Sequence, residues 1–197
     1  EAADMIRRLF ANSAAGKDTR MAGRYATIDG ARLWTLPTTP PPLLVAAAGP
    51  LTARRAGREV DGFITMGNSL DKAKRLLQRF YQGVKDTKRD PSQTLTVARL
   101  HVSWAPTHEQ AASAALKHWP QAAMRFNTTD LRSPFDIAQI AKLVRVEDFE
   151  SKLLITTDIA RVHELAREYL AIGFDQVYVH NVGGAGYGWF EAARLQG

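Results

Sequence analysis

The sequence LLVAAAGPLT at residues 43–52 gives the clearest indication of architecture in this chain. Residues 43–48 form a continuous apolar run, which is typical of a parallel β-strand that is buried on both faces. Gly49 and Pro50 end the run, and Pro50 stands at the start of a predicted helix over residues 51–59, where proline is tolerated. The stretch therefore predicts a strand, a tight turn and a helix in direct succession.

The same alternation continues towards the C-terminus. Further strands are predicted at residues 61–66, 95–104 and 176–180, and further helices at residues 70–86, 106–118 and 159–172. Because parallel strands need crossover connections, this alternation indicates an α/β fold in which helices flank a parallel sheet. A doubly wound sheet and a barrel both fit the periodicity, which does not choose between them.

Other parts of the chain are less regular. Apolar residues at positions 5, 6, 9 and 10 predict an N-terminal helix that fades over residues 12–19. Residues 24–34 predict a small β-hairpin with Asp29-Gly30 as its turn. Residues 119–150 are interpreted as an insertion, and residues 153–155 as either a short strand or a buried loop.

Length and composition exclude several classes of protein. The 197 residues are 45% hydrophobic and 23% charged, which are ordinary globular values and predict a single domain over residues 1–197. No apolar run reaches the roughly 18 residues of a membrane span. The chain has no cysteine, so disulfides, a thiol nucleophile and zinc-thiolate sites are excluded.

The formal net charge of +6 permits attraction to anionic partners. The basic residues are scattered among apolar positions, as on solvated helix faces, and no basic patch interleaved with aromatic residues accompanies them. We therefore predict neither a nucleic-acid nor a membrane partner.

The turn at residues 47–52 is the first candidate site, because ligands of parallel α/β folds bind at the carboxyl ends of the strands. Small residues followed by a helix N-terminus let a phosphate group approach backbone N–H groups at the positive end of the helix dipole. The spacing alone favours the alternative, a tight turn whose small residues serve only packing. The turn is not a P-loop, because it lacks the Lys-Ser or Lys-Thr pair.

Histidines supply the other candidates. His180 ends the last predicted strand and is the best placed for proton transfer or substrate contact, with a structural hydrogen bond as the alternative. His101 lies inside the third predicted strand of the series, and neither histidine has a partner at metal-ligand spacing, so no metal is predicted. The sequence contains no complete catalytic set.

A series of short motifs resembles a known family over nearly the whole chain. They are DGARLW at 29–34, PPLLVAAAGP at 41–50, AGR at 56–58, DGFI at 61–64, KHWP at 117–120 and GFDQVYVHNVG at 173–183. Together they resemble the luciferase-like flavin and deazaflavin oxidoreductases, in the branch related to coenzyme F420-dependent glucose-6-phosphate dehydrogenase.

The resemblance implies a (β/α)8 TIM barrel of the luciferase-like type, of which this chain is about the second half. It implies an F420-dependent oxidoreductase that transfers hydride between the deazaflavin and an unidentified small organic substrate. The family's catalytic His, Trp and Glu would precede Glu1, so no catalytic residue is assigned and the chain alone is expected to be inactive. By position, the resemblance places contacts to the cofactor tail on Ala47, Ala48, Gly49, Leu51 and Thr52.

The same alignment assigns Met66 to substrate contact, and His180 is a second candidate for substrate contact because of its place at the end of the last predicted strand. Where the dehydrogenase has a Thr and a Lys that hold sugar phosphate, this chain has Met66 and Ser69, which argues against glucose 6-phosphate as the substrate. The alternatives are an FMN-dependent luciferase-like monooxygenase, which would use the same turn, and a non-catalytic flavin-binding barrel remnant. We also expect a cytoplasmic location and, for the full-length protein, a homodimer.

Overall fold

The computed structural model describes residues 1–67, 69–124, 131, 133–149, 152–183 and 186–194. The helices are α1 (Ala2–Ala14), α2 (Pro50–Glu59), α3 (Leu70–Asp86), α4 (His108–His118), α5 (Pro134–Ala141), α6 (Ile159–Ala171) and α7 (Gly186–Arg194). The strands are β1 (Thr19–Ala22), β2 (Thr27–Ala31), β3 (Leu44–Ala46), β4 (Gly62–Met66), β5 (Leu95–Trp104), β6 (Leu154–Thr156) and β7 (Gln176–Asn181). The chain forms two compact units, Glu1–Phe63 with Gln78–Leu95 and Ile64–Leu77 with Thr96–Gly197.

Most of the predicted elements are confirmed. Strand β5 and helix α3 have the predicted bounds, and residues 154–156 form a strand rather than a buried loop. Helix α6 begins after Asp158, whose carboxylate accepts a hydrogen bond from Ala160 N at 2.8 Å. It ends before Gly173, where φ is +105°, a value that favours glycine.

A β-hairpin forms in this region, but the predicted bounds of 24–34 and the predicted turn are both wrong, because the first strand is Thr19–Ala22 and the second is Thr27–Ala31. Strands β1 and β2 pair antiparallel around residues 23–26, and Gly30 lies inside β2. The register shifts at Thr19/Arg20 opposite Gly30, whose φ is +71°, so the glycine is the extra residue of a β-bulge. An Asp-Gly pair suits a tight turn and a bulge equally well, because both need positive φ. Here the pairing of β2 with β1 places Gly30 in a bulge.

In the first unit, Asp61 fixes Leu43, the residue that precedes β3. Asp61 N donates to Leu43 O at 3.0 Å, and the Asp61 carboxylate accepts from Leu43 N at 2.8 Å. Arg7 Nη2 lies 2.7 Å from the same carboxylate. The residue that leads into β3 is therefore held beside the residue that leads into β4.

The prediction that residues 43–48 form a strand buried on both faces is wrong. Strand β3 is three residues long, and its side chains are half-buried or exposed. In the described part of the chain β4 is its single neighbour, so one edge and part of its surface have no covering element. Ala47, directly after the strand, is buried.

Helices α2 and α3 approach each other closely in the first unit. A Cβ atom added at Gly57 of α2 would lie 2.0 Å from the backbone oxygen of Phe80, and one added at Gly83 would lie 1.9 Å from that of Arg54. The buried rings of Phe63 and Phe80 stack with centroids 4.9 Å apart. The two glycines therefore permit backbone-to-backbone packing.

Strand β5 is the centre of the second unit. It pairs in parallel with β7 from Val97↔Gln176 to Val102↔Asn181, and with β6 from Val102↔Leu154 to Trp104↔Thr156. Gly67, just after β4, donates its N–H to Arg99 O at 2.8 Å. These pairings confirm the parallel α/β sheet for this unit.

Side-chain hydrogen bonds lock the register of β5 and β7 at both ends. At the start of β5, Thr96 N and Oγ1 both donate to the carboxylate of Asp175 at 2.7 Å. At its end, Trp104 N donates to Asn181 Oδ1 at 2.9 Å, and Asn181 Nδ2 donates to Trp104 O at 3.3 Å. The pairing is thus specified by side chains as well as by the backbone.

The two faces of β5 differ in chemistry, since successive side chains of a strand alternate. Val102 is buried against Ile159 and Val162 of α6. Arg99 and His101 lie on the opposite face, in register with residues of β7 that are also polar or aromatic. The face away from α6 therefore carries Arg99 and His101 as polar groups beside the apolar Val97.

The interpretation of residues 119–150 as an insertion stays a prediction. The region contains α5 and short 3-10 segments at Pro120–Ala122 and Val146–Phe149. Residues 125–130, 132 and 150 lie outside the described part of the chain. Across the described ranges, each helix is too short or too polar to cross a lipid bilayer.

The contact at Gly57 generates a stability prediction. Gly57→Ala should lower the free energy of unfolding by about 3 kcal/mol or more, because its Cβ cannot occupy a site 2.0 Å from a backbone oxygen without moving a helix. Gly188→Ala in α7 is the control, since its Cβ meets nothing within 4 Å and helix propensity favours alanine by up to about 1 kcal/mol. Urea unfolding followed by circular dichroism measures both variants. An equal midpoint for Gly57→Ala and the wild type would contradict the packing.

Candidate functional site

The turn after β3 presents backbone donors to solvent. Gly49 is the N-cap of α2 with extended backbone (φ −135°, ψ 158°), and it makes no side-chain cap. Pro50 at the first helical position has no N–H, so the next free donors are the N–H groups of Leu51 and Thr52, which have no hydrogen bond among the described residues. Unpaired donors at the positive end of a helix dipole attract anions.

The side chains around this turn leave the donors accessible. A Cβ atom added at Gly49 would meet nothing within 4 Å, so the space in front of the backbone is open. Ala48, Leu51 and Thr52 are exposed, Leu51 to 85%. The first turn of α2 contains no acidic residue, so nothing there competes with an incoming anion.

Met66 ends β4 and is 41% exposed. Ser69, two residues beyond Gly67, accepts a hydrogen bond from Lys72 N at 3.4 Å and thereby caps the start of α3. The serine hydroxyl therefore has a structural role in this region, and both Met66 and Ser69 are exposed.

His180 of β7 is held by Arg99 of β5. Arg99 Nη2 lies 3.3 Å from His180 Nδ1. A guanidinium only donates hydrogen bonds, so Nδ1 accepts and the proton of the neutral ring resides on Nε2. Burial, and then the charge of Arg99, lower the pKa of His180 below its ordinary value. His180 therefore offers an N–H donor at Nε2 rather than a basic nitrogen.

His101 lies beside His180 and is almost completely buried, with 7% of its surface exposed. Its ring meets Trp119 edge to face with centroids 3.9 Å apart, and the His180 ring lies 5.4 Å away. Burial first, then the charges of Arg99 and His180, lower the pKa of His101 to about 4. Its Nε2 atom is buried without a hydrogen bond in the described part of the chain.

Arg99 connects these groups. Its guanidinium lies 5.8 Å from the centre of the Tyr178 ring, a cation–π distance, and its Nε atom is buried without a hydrogen-bond partner among the described residues. Sequence reasoning missed Arg99 and assigned no role to His101. The available signal was the polar alternation Arg99, His101, Ser103 within an otherwise apolar strand, which marks one face of β5 as polar.

A cavity of about 340 Å³ opens next to this cluster in the second unit. Gly67, Ser69, His101, Lys152, Arg161 and Glu168 are among the residues that line it. Lys152 Nζ donates to Ala123 O at 2.9 Å, and Arg161 pairs with Glu164 and, at 3.9 Å, with Glu168. His101 thus has one side against the aromatic cluster and contributes to the cavity wall.

The sequence-predicted residues fall into two groups. The five turn residues lie in the first unit, and Met66 and His180 lie in the second. Across the residues that the structure describes, no cluster of three or more His, Asp and Glu side chains could hold a metal ion.

Comparisons with known proteins find that this chain is similar to luciferase-like and F420-dependent proteins. A family model described as luciferase-like monooxygenase matches residues 1–176. The F420-dependent glucose-6-phosphate dehydrogenase of Microbacterium testaceum is 24% identical over 185 residues, 93% of this chain and 54% of that protein. The F420-dependent hydroxymycolic acid dehydrogenase of Mycobacterium tuberculosis is 31% identical over 158 residues, 80% of this chain and 41% of that protein.

Solved structures show the same fold. An F420-dependent secondary alcohol dehydrogenase in complex with an F420-acetone adduct superposes with a TM-score of 0.73 at 22% identity, over 93% of this chain and 56% of that one. The F420-dependent tetrahydromethanopterin reductase of Methanopyrus kandleri gives 0.63 at 16% identity, over 93% and 59%. The α/β fold is therefore that of the luciferase-like TIM barrels, and the chain spans about half the length of the curated relatives it matches.

The lowered pKa of His101 makes stability depend on pH. The unfolded histidine binds protons at its ordinary pKa of 6.5 and the folded one only near 4, so the contribution to stability is present above pH 6.5 and is lost as pH falls towards 4. His101→Gln should therefore reduce the loss of unfolding free energy between pH 7 and pH 5 by about 2 kcal/mol.

Urea unfolding at the two pH values measures this difference. The exposed His108 provides the control variant His108→Gln, which should keep the pH dependence of the wild type. An unchanged pH dependence in His101→Gln would show that the buried ring does not resist protonation.

Proposed function

This chain belongs to the luciferase-like monooxygenase family, and on that premise we propose that it is part of a coenzyme F420-dependent oxidoreductase. The reaction is hydride transfer between the deazaflavin and a small organic molecule. Several relatives that are named as F420-dependent dehydrogenases align over most of the chain, which supports F420 as the cofactor. Since the chain spans about half of their length, it supplies part of the site.

The observation that carries the proposal is the turn at residues 47–52. Two unpaired N–H groups, those of Leu51 and Thr52, stand at the start of a 10-residue helix with open space in front of Gly49. This arrangement suits the phosphate-bearing tail of the cofactor, because anions gain hydrogen bonds and a favourable dipole there. The exposed Ala48 keeps the approach clear because its side chain is small, and the side chain of Ala47 is buried.

The residues of the second unit have a different role. When bound, the deazaflavin supplies the carbon that gives or takes the hydride. His180, with its proton on Nε2, donates a hydrogen bond to an alcohol or carbonyl oxygen and thereby orients the substrate. Met66 provides an accessible apolar contact at the end of β4.

A flavin-dependent monooxygenase remains the second candidate. The family model carries the monooxygenase description, and the oxygenating constituent of 3,6-diketocamphane monooxygenase from Pseudomonas putida, in complex with FMN, shares the fold at 15% identity and a TM-score of 0.54. FMN also ends in a phosphate, so it suits the same turn. The single-domain organisation, a cytoplasmic location and a homodimer of the full-length protein stay predictions.

Two substitutions at Gly49 test the cofactor site. Gly49→Asp should weaken F420 binding at least about tenfold, because a carboxylate then faces the cofactor phosphate at the same backbone donors. Gly49→Asn is the matched control, with nearly the same size and no charge, and should bind within a few-fold of the wild type. Both residues are good N-caps, so α2 should remain folded.

Quenching of the F420 fluorescence during titration gives the three dissociation constants, and FMN is titrated in parallel. Equal F420 affinity for the Asp and Asn variants would exclude the turn as the phosphate site. Binding of FMN with tighter affinity than F420 would replace the proposal by the flavin-dependent alternative.

A further inference from the structure

We propose that Arg99 and His180 form a binding site for an anionic oxygen group, a carboxylate or a phosphate, on a small-molecule ligand. The site lies on the face of β5 and β7 that points away from α6. It is distinct from the backbone donors of the turn at residues 47–52.

Arg99 is a cation without a counter-ion in the described part of the chain. It is half-buried, its Nη2 atom donates to a neutral histidine ring, and its guanidinium lies over the face of the Tyr178 ring. A half-buried charge is costly unless an anion or hydrogen-bond acceptors compensate it.

The half-buried Arg89 shows how this chain compensates a similar charge. Its Nη1 atom donates to the backbone oxygens of Gly57 at 3.0 Å and Val60 at 2.6 Å, and Nη2 lies 3.8 Å from the Asp61 carboxylate. Arg99 has none of these acceptors among the described residues. The difference indicates that the acceptor for Arg99 comes from a bound ligand.

Two buried nitrogen atoms add independent support. Arg99 Nε and the Nε2 atom of the 93% buried His101 lack hydrogen-bond partners in the described ranges, on the same face of β5. An unsatisfied buried polar atom lowers the stability of the folded state, so proteins rarely keep one without a function. The hydrogen bonding of Arg99 and His101 is therefore incomplete among the described residues.

The donors that remain define the ligand. Arg99 Nη1 has no hydrogen bond among the described residues, and His180 presents its Nε2–H because Arg99 occupies Nδ1. Both groups only donate, and the hydrogen bond between them keeps them together. Donors with a positive charge recognise an anionic oxygen, and a guanidinium suits a carboxylate or phosphate in particular.

The proposal assigns a class to the substrate of the proposed oxidoreductase, and that assignment rests on the proposed function. The substrate would carry a carboxylate or a phosphate ester in addition to the carbon that exchanges hydride. The binding site itself depends only on the contacts of Arg99, His101 and His180, and it is testable without any cofactor.

Side-chain NMR of the chain provides the test. Acetate and inorganic phosphate are titrated separately at pH about 7.5 and constant ionic strength, and the ring nitrogens of His180 and His101 are observed in long-range ¹H–¹⁵N spectra. We expect saturable shifts with at least one anion. The anion with the lower Kd identifies the carboxylate or the phosphate class.

Substitutions of arginine locate the site. Arg99→Gln should raise the Kd at least about tenfold, because the charge and the fork of donors are lost together. Arg99→Lys keeps the charge without the planar fork of donors and should give an intermediate Kd. If circular dichroism shows that Arg99→Gln is unfolded, Arg99→Lys is used in its place. The control is Arg20→Gln in β1, since Arg20 is exposed, is paired with Asp29 and belongs to the first unit, and its Kd should equal that of the wild type.

The outcomes separate the two proposals. Absence of a saturable shift with both anions, or an equal Kd in the wild type and the Arg99 variant, would overturn the anion site. A chain that binds acetate or phosphate through Arg99 but fails to bind F420 would keep this site and refute the proposed cofactor. A chain that binds F420 through the turn but binds neither anion would keep the proposed cofactor and refute the Arg99 site.

Discussion

The parallel pairing of β5 with β7 is the constraint on which the candidate site of the second unit depends. Arg99 and His180 are 81 residues apart in the chain and meet only because these strands are in register. A slip by one residue would turn every polar side chain of β5 towards the apolar face of α6. Thr96 with Asp175 and Trp104 with Asn181 prevent such a slip, because each pair exchanges side-chain hydrogen bonds across the strands.

Electrostatics then sets the chemistry of the two histidines. The fixed charge of Arg99 and the burial of the rings both favour the neutral form, and they lower the pKa of His101 and of His180. The contact with Arg99 also selects the tautomer of His180. From its place at the end of a strand, His180 could act as an acid, a base or a metal ligand. The neighbouring Arg99 makes it a hydrogen-bond donor at Nε2.

Much of the architecture was predictable because it depends on local patterns. The apolar periodicity of α3, the bounds of β5 and the Asp158 cap of α6 all arise from residues close together in the chain. The turn at residues 47–52 was recognised as a candidate for the same reason, since a helix N-terminus is a local feature. The turn of the β1–β2 hairpin was misplaced, because positive φ at Gly30 serves a bulge once β1 pairs from Thr19 onward.

The sequence by itself determined the main helices, the long strand β5 and the place where a helix start offers free backbone donors. These features follow from side-chain spacing, glycine and proline positions, and capping residues, which act over a few residues. Only the tertiary structure decided which side chains of β5 and β7 meet, that Arg99 lacks a carboxylate partner among the described residues, and which nitrogen of His180 carries the proton. The physical reason is that charge compensation and burial depend on neighbours brought together by long-range strand pairing.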